Sequence, residues 1–145
     1  MFKSPRLWLR IASILTFLLA AAHTAGGMQS WSPAGETEVL RAMRSFRFDA
    51  EGVSRTYLDF YLGFGFLISV LLVAQGVILW QLSSSRIASV GTRPVICTFI
   101  AASAVAAILS WRFIFMIPVI SFVLIAASLT IAFVVSGVGG SAQAP

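Results

Sequence analysis

The stretch Leu58–Leu82, LDFYLGFGFLISVLLVAQGVILWQL, decides the fold of this chain, because it is a long apolar run with a single charged residue. A helix needs about 20 apolar residues to cross a hydrocarbon core roughly 30 Å thick. Similar runs cover Leu7–Gly27, Pro94–Trp111 and Phe113–Val135. Backbone groups find no water in lipid, so each run must be helical. The sequence therefore predicts an all-α, polytopic membrane protein with a bundle of four transmembrane helices.

Composition supports this class of protein. Hydrophobic residues make up 59% of the chain and charged residues 10%, whereas soluble domains carry about 25% charged residues. The net charge is +5, but the basic residues do not cluster on a soluble face, so membrane lipid is favoured as a partner and nucleic acid is not. The single Cys97 excludes an intrachain disulfide and a Cys-rich metal site. We expect one membrane domain over residues 1–145, with no metal and no cofactor.

The first run has a second interpretation. Basic residues precede the apolar stretch Ile11–Ala22, and Ala20-Ala21-Ala22 could be a cleavage site, as in a signal peptide. A retained helix is favoured, because Leu7–Leu9 extends the run and Arg10 can snorkel to the membrane interface. A cleaved signal peptide stays open as the alternative.

The outer loop, residues 28–57, is predicted to contain a short amphipathic helix. Ser32-Pro33 can start a helix, with serine as its cap. Beyond Glu36, apolar residues recur at helical spacing, namely Val39, Leu40, Met43 and Phe46. This helix either lies on the membrane surface or caps the mouth of the bundle. Residues 49–54, around Gly52, then turn into the second span, and the tail 137–145 is expected to be disordered.

Polar residues from separate spans are predicted to converge on one membrane face. They are His23, Tyr57, Asp59, Tyr61 and Arg112, with Trp111 beside them at the interface. Polar groups at such depths are costly, so they suggest a ligand-binding site. The structural alternative is polar anchoring, in which Asp59 is ionised and pairs with Arg55 or Arg112, and His23 bonds a backbone carbonyl.

Other polar and small residues are assigned packing roles. Gln75, the one amide deep in a span, is expected to form an interhelical hydrogen bond. Cys97 is expected to be a small packing residue. Pro118 marks or kinks the start of the last helix. The stretches Ala101–Ala107 and Ala126–Ser128 favour close helix packing.

The segment from Phe46 to Gly65 carries a recognisable signature, F-x-F-D, G-x-x-R-T-Y and D-F-Y-x-G-F-G. It resembles a family of small uncharacterised bacterial four-helix inner-membrane proteins. The similarity continues more weakly to Trp80-Gln81-Leu82, so that the resemblance covers roughly residues 28–82. The resemblance implies the four-helix architecture and a bacterial envelope, and assigns no activity. The overall shape is also similar to DoxX-like and sterol-isomerase-type proteins, on helix count alone.

Topology follows from the basic residues. Lys3, Arg6 and Arg10 precede the first span without any acidic residue, which predicts a cytoplasmic amino terminus. An even number of spans then places the carboxyl terminus on the same side and residues 28–56 in the periplasm.

Two functions remain open. The favoured hypothesis is a non-enzymatic membrane protein that binds a lipid, another hydrophobic molecule or a partner helix, either as a single chain or as a homo-oligomer. The alternative is a small membrane enzyme, an isomerase or reductase of a hydrophobic substrate, that uses His23 and Asp59 for acid–base chemistry.

Overall fold

The computed structural model describes residues 4–28, 35–84 and 92–138. These residues form five helices and two short strands, which are in chain order α1 (Pro5–Gly27), α2 (Glu38–Ser45), β1 (Arg47–Ala50), β2 (Val53–Thr56), α3 (Tyr57–Ser84), α4 (Thr92–Phe113) and α5 (Met116–Val138). Four of the helices are long and apolar enough to cross a membrane. Even a helix of 22 residues extends about 33 Å at 1.5 Å per residue. The predicted all-α, multi-pass class is confirmed.

The largest differences between the predicted runs and the helix ends, three residues each, are at the two ends of the last helix. The fourth helix begins at Met116 rather than Phe113, because Phe113 still belongs to α4 and the two residues after it form the turn. Pro118 lies in the first turn of α5, where its missing N–H costs no hydrogen bond. The helix also includes Gly137 and Val138, which were assigned to the disordered tail. The rest of that tail, like Ser32-Pro33, lies outside the described residues.

The chain divides into two compact units. The first unit comprises Met1–Leu19 and Leu72–Pro145, and the second comprises Ala20–Leu71. Helices α1 and α3 each contribute residues to both units. Each unit is described by itself below.

In the first unit, α4 and α5 pack against each other along their length and form an antiparallel hairpin, as two long helices joined by a two-residue turn must. The buried positions of α4 are Ile96, Ser103, Ala107 and Ser110, which recur at helical spacing. On α5 the corresponding stripe is Ile125, Ser128, Leu129 and Ala132. Lipid is as apolar as these side chains, so close approach of small residues is what holds such helices together. Cys97 is exposed, so its predicted packing role within the chain is wrong.

The first unit also joins α1 to α3 at one glycine. Ser13 Oγ donates a hydrogen bond to the carbonyl oxygen of Gly76 at 2.7 Å. The ring of Phe17, one turn further along α1, lies directly over the same glycine. A Cβ atom at Gly76 would be 2.8 Å from the Phe17 ring. Any larger residue at position 76 would force the Phe17 ring or the helices to shift, so this contact depends on glycine and sets how α1 and α3 face each other in this unit.

In the second unit, α2 forms the predicted amphipathic helix of the loop. It begins at Glu38, with Thr37 as its cap: Thr37 Oγ1 accepts from the Leu40 N–H at 3.2 Å. Glu38 in the first turn and Arg44 in the last turn both complement the helix dipole. None of its residues is buried within the chain.

A β-hairpin follows α2, where a simple turn was predicted. Strands β1 and β2 pair antiparallel, with Phe48 opposite Arg55 and Ala50 opposite Val53. Glu51 and Gly52, between the strands, have φ values of 50° and 81°. Two successive residues with positive φ are typical of a type I′ turn, whose twist matches that of the strands. The hairpin leads directly into α3.

Candidate functional site

Asp59 caps the amino terminus of α3. Its Oδ2 accepts a hydrogen bond from the Thr56 N–H at 2.8 Å, and its own N–H donates to Thr56 Oγ1 at 3.1 Å. This reciprocal arrangement is a capping box, which gives partners to two backbone N–H groups that the helix leaves unbonded. The first turn is also where the helix dipole favours a negative charge. Asp59 therefore has a structural task at the junction of β2 and α3.

The predicted ion pair between Asp59 and Arg55 is absent. Arg55 Nη1 donates instead to the Ser54 carbonyl oxygen at 3.2 Å, and the Asp59 side chain is exposed. Among the described residues of the second unit, one ion pair is present, between Arg44 Nη1 and Glu36 Oε1 at 3.5 Å.

His23 is held by a cluster of hydroxyl groups. Its Nδ1 lies 3.0 Å from Ser69 Oγ, and Thr24 Oγ1 lies 2.9 Å from the same oxygen. Each hydroxyl has one proton, so Thr24 donates either to Ser69 Oγ or to Ala20 O, which lies 2.8 Å away, while Ser69 can donate to Gly65 O at 3.3 Å. The predicted backbone partner of His23 is thus replaced by the Ser69 side chain. The cluster ties α1 to α3 within the second unit.

His23 and Asp59 are not brought together. His23 contacts α3 at Ser69, which lies about 15 Å along the helix axis from Asp59 at 1.5 Å per residue. The Asp59 carboxylate is bonded to Thr56, which precedes the helix and so lies still further from Ser69. Neither a direct contact nor a bridge by one water spans this distance. The catalytic hypothesis, which needed both side chains at one place, has no geometric support.

Tyr57 belongs to a row of aromatic rings that joins the loop to α3. Its ring centroid is 5.7 Å from that of Phe46 and 4.8 Å from that of Phe48. The row continues from Phe48 to Phe60 at 5.2 Å and from Phe60 to Phe64 at 5.8 Å. These centroid distances and tilted planes are those that aromatic pairs favour. Tyr57 therefore helps to fix the hairpin on the helix, while Tyr61 is exposed.

Arg112 and Trp111 belong to the first unit, at the carboxyl-terminal end of α4. The Arg112 guanidinium carbon lies 5.4 Å from the centre of the Phe113 ring. Trp111 is 72% exposed. A basic residue in the last turn complements the helix dipole. The six predicted site residues therefore belong to two different units: Trp111 and Arg112 to the first, and His23, Tyr57, Asp59 and Tyr61 to the second.

The first unit contains an open groove that was not predicted. It is lined by Phe17 of α1 and by Val77, Trp80 and Gln81 of α3, and its volume is about 410 Å³. The Arg10 guanidinium carbon lies 5.5 Å from the centre of the Trp80 ring, within the range of a cation–π contact. The groove is therefore lined mainly by apolar side chains, and the positive charge of Arg10 lies beside Trp80, one of its lining residues.

Gln75 lies on α3 just before Gly76. Its amide nitrogen does not form the interhelical hydrogen bond that was predicted. Its Nε2 is buried and has no hydrogen-bond partner among the described residues, and the same holds for Ser103 Oγ. Gln75 thus leaves a buried donor in the first unit, which is costly in a membrane. We have no physical account of this buried donor.

A metal site has no support in the described part of the chain, where no three His, Cys, Asp or Glu side chains lie together. Comparison with known proteins does not suggest another kind of site either. No family model, no curated protein and no solved structure matches this chain.

Proposed function

We propose that this membrane protein binds a lipid or another apolar molecule and catalyses no reaction. The observation that supports the proposal is the groove of Phe17, Val77, Trp80 and Gln81, with its volume of about 410 Å³. Binding sites for small molecules have volumes of about 300–1,000 Å³ and are lined mainly by apolar and aromatic side chains. Because the groove lies on membrane-spanning helices, the molecules that reach it are those dissolved in the bilayer.

The residues at the other candidate site fit a structural role better than a binding role. Asp59 completes a capping box, His23 bonds Ser69, and Tyr57 packs on Phe46 and Phe48. Each of these side chains is used in holding neighbouring elements together. The groove, in contrast, presents apolar surface that no described side chain fills.

The proposed setting is a bacterial inner membrane, with both termini in the cytoplasm and residues 28–56 in the periplasm. Lys3, Arg6 and Arg10 precede the first span, and the basic residues that flank the first helix usually dominate the orientation. An excess of basic residues marks the cytoplasmic side of a membrane protein. The family resemblance of the segment from Phe46 to Gly65 supports the bacterial setting.

Native mass spectrometry in a gentle detergent tests the binding proposal. We expect the intact chain to retain one or more lipid-sized molecules, which dissociate when the collision energy is raised. The same spectra report whether the chain is a homo-oligomer. Release of a chain that carries neither lipid nor any other small molecule would overturn the proposal, and a second protein chain in place of lipid would favour a partner helix as the occupant.

A groove-filling substitution provides the specific test. Val77→Phe adds a ring inside the groove without disturbing the core, because Val77 is already 41% exposed. We expect this variant to retain less lipid than the unmodified chain. Val123→Phe is the matched control, since Val123 is 52% exposed on α5 and does not line the groove. Equal lipid retention in both variants would argue against the groove as the site.

A further inference from the structure

We infer that the groove selects a phospholipid with a net negative headgroup, whose phosphate is bound by Arg10 and whose acyl chain lies against Phe17 and Val77. This inference rests on the proposed function and adds to it the class of lipid and the residue that recognises it.

Arg10 lies where a headgroup would be. Its guanidinium is 5.5 Å from the ring of Trp80, a residue that lines the groove. Tryptophan and arginine near a helix end both belong at the level of the lipid headgroups, the arginine by extending its side chain to the interface. The contact with Trp80 orients the planar guanidinium, and such a group binds phosphate through two parallel hydrogen bonds.

The apolar part of the groove lies on the same side of α1. Arg6, Arg10 and Phe17 fall within about 40° of one another around the helix, at 100° per residue. Phe17 is about 10 Å further along the axis than Arg10, again from the helix rise. The groove thus passes from a cation at the interface to aromatic and aliphatic surface within the hydrocarbon. A phospholipid is arranged in the same order, with a charged headgroup at the interface and hydrocarbon chains below it.

The charge of Arg10 has no counter-ion in its own unit. Residues 1–19 and 72–145, which make up the first unit, contain no Asp or Glu at all. Arg6, one turn before Arg10, adds a second uncompensated cation. A net negative headgroup neutralises this pair, whereas the ammonium group of a zwitterionic lipid is repelled by it.

The site is formed before the lipid arrives. Ser13 Oγ bonds the Gly76 carbonyl at 2.7 Å, and the Phe17 ring rests on the Gly76 backbone. These contacts fix the α1 wall of the groove relative to its α3 wall. A site that does not rearrange on binding loses little affinity, because few side chains or loops have to be ordered when the ligand binds.

Lipid titration of the purified full chain tests this inference. The protein in detergent is titrated with phosphatidylglycerol or with phosphatidylcholine of the same acyl chains, and the bound fraction is measured by native mass spectrometry. We expect phosphatidylglycerol to bind about five- to thirtyfold more tightly, since each arginine near an anionic headgroup contributes about 1 kcal/mol. We expect the preference to be lost in Arg10→Gln and partly kept in Arg10→Lys.

The control is Arg112→Gln, which removes an arginine from the same unit but away from the groove, and which we expect to keep the preference. Thermal unfolding confirms that each variant is folded. If the unmodified chain binds both lipids equally, or if Arg10→Gln keeps the preference, the inference is wrong while lipid binding itself stands. If neither lipid binds the unmodified chain, this inference fails, and so does the proposal that the groove binds a phospholipid.

Discussion

At the scale of single residues, hydroxyl side chains make the polar contacts between the long helices. Ser13 bonds the backbone of Gly76, and Ser69 receives both His23 and Thr24. Apolar side chains gain nothing by leaving lipid for another helix, so association depends on close packing and on hydrogen bonds of this kind. Serine suits this role because it is small and because its hydroxyl can donate a hydrogen bond to the carbonyl oxygen one turn earlier in its own helix.

Replacing Ser69 by alanine tests the contact with His23. The change leaves His23 Nδ1 without its Ser69 partner, while Thr24 can still donate to the Ala20 carbonyl. We therefore expect a loss of about 0.5–1.5 kcal/mol in unfolding free energy, as interhelical hydrogen bonds in membranes contribute. Ser121→Ala is the matched control, because within the described part of the chain Ser121 bonds only the Ile117 carbonyl of its own helix. Thermal or denaturant unfolding in detergent gives both values, and equal losses would mean that the His23 contact does not stabilise the fold.

The capping box at the start of α3 makes a second prediction at this scale. Thr56→Ala removes one of its two hydrogen bonds and should cost about 1 kcal/mol, whereas Thr56→Ser should be close to neutral. Asp59→Asn should have a smaller effect than Thr56→Ala, because the amide oxygen still accepts from the Thr56 N–H and no buried arginine loses its counter-ion. Thermal unfolding measures all three variants. A larger loss from Asp59→Asn than from Thr56→Ala would indicate that the charge of Asp59 is paired with an arginine, which its contacts in the second unit do not show.

At the scale of elements, one glycine decides how α1 meets α3 in the first unit. Gly76→Ala places a Cβ atom 2.8 Å from the Phe17 ring, so the ring or the helices must shift. We expect a loss of about 1–3 kcal/mol in unfolding free energy, the usual cost of overpacking. Gly63→Ala is the control, since a Cβ atom there meets nothing within 4 Å.

The loss expected for Gly76→Ala can be checked with a second substitution at Phe17. Phe17→Leu shortens the side chain that the new Cβ atom would strike, so the double variant should recover part of the stability lost by Gly76→Ala. Unfolding of the four chains in one detergent forms a double-mutant cycle. Strictly additive losses would show that the two positions do not interact.

Elements differed in how far they could be predicted from the sequence. Length and apolarity suffice to locate a transmembrane helix, so α3 was found within two residues at each end. The hairpin was missed, although Glu51-Gly52 sits between short alternating stretches, because two four-residue strands leave little periodic signal. The start of α2 was placed at Ser32-Pro33, yet Thr37 provides the cap, since several hydroxyl residues in one loop compete for that role.

The site was harder to predict than the fold for a physical reason. Helices in lipid are apolar on all sides, so periodicity does not tell which face meets another helix. The groove depends on how α1 and α3 are aligned at Phe17 and Gly76, and the spacing of apolar residues along either helix does not indicate that alignment. The polar residues near the outer face were visible in sequence, but the level at which His23 meets α3 was not. His23 meets Ser69 rather than Asp59.

At the scale of the whole molecule, the charges are distributed unevenly along the chain. Every acidic residue lies between Glu36 and Asp59, while the net charge of the chain is +5. The loop between α1 and α3 therefore carries both signs, and the amino-terminal segment carries only positive charge. A membrane with anionic lipid on its cytoplasmic side attracts such a segment, in keeping with the lipid class proposed for Arg10.

This distribution leads to the last prediction, that both termini are cytoplasmic and residues 28–56 are periplasmic. Alkaline phosphatase is active only after export, so a fusion after residue 145 should be inactive and a fusion within residues 29–34 active. Replacing Lys3, Arg6 and Arg10 together by glutamine removes the basic bias at the amino terminus and should raise the activity of the carboxyl-terminal fusion. Changing Arg41, Arg44 and Arg47 to glutamine is the matched control and should leave it low. High activity at the carboxyl terminus of the unmodified chain would invert the topology, and it would place Arg10 and the groove's charged end in the outer leaflet.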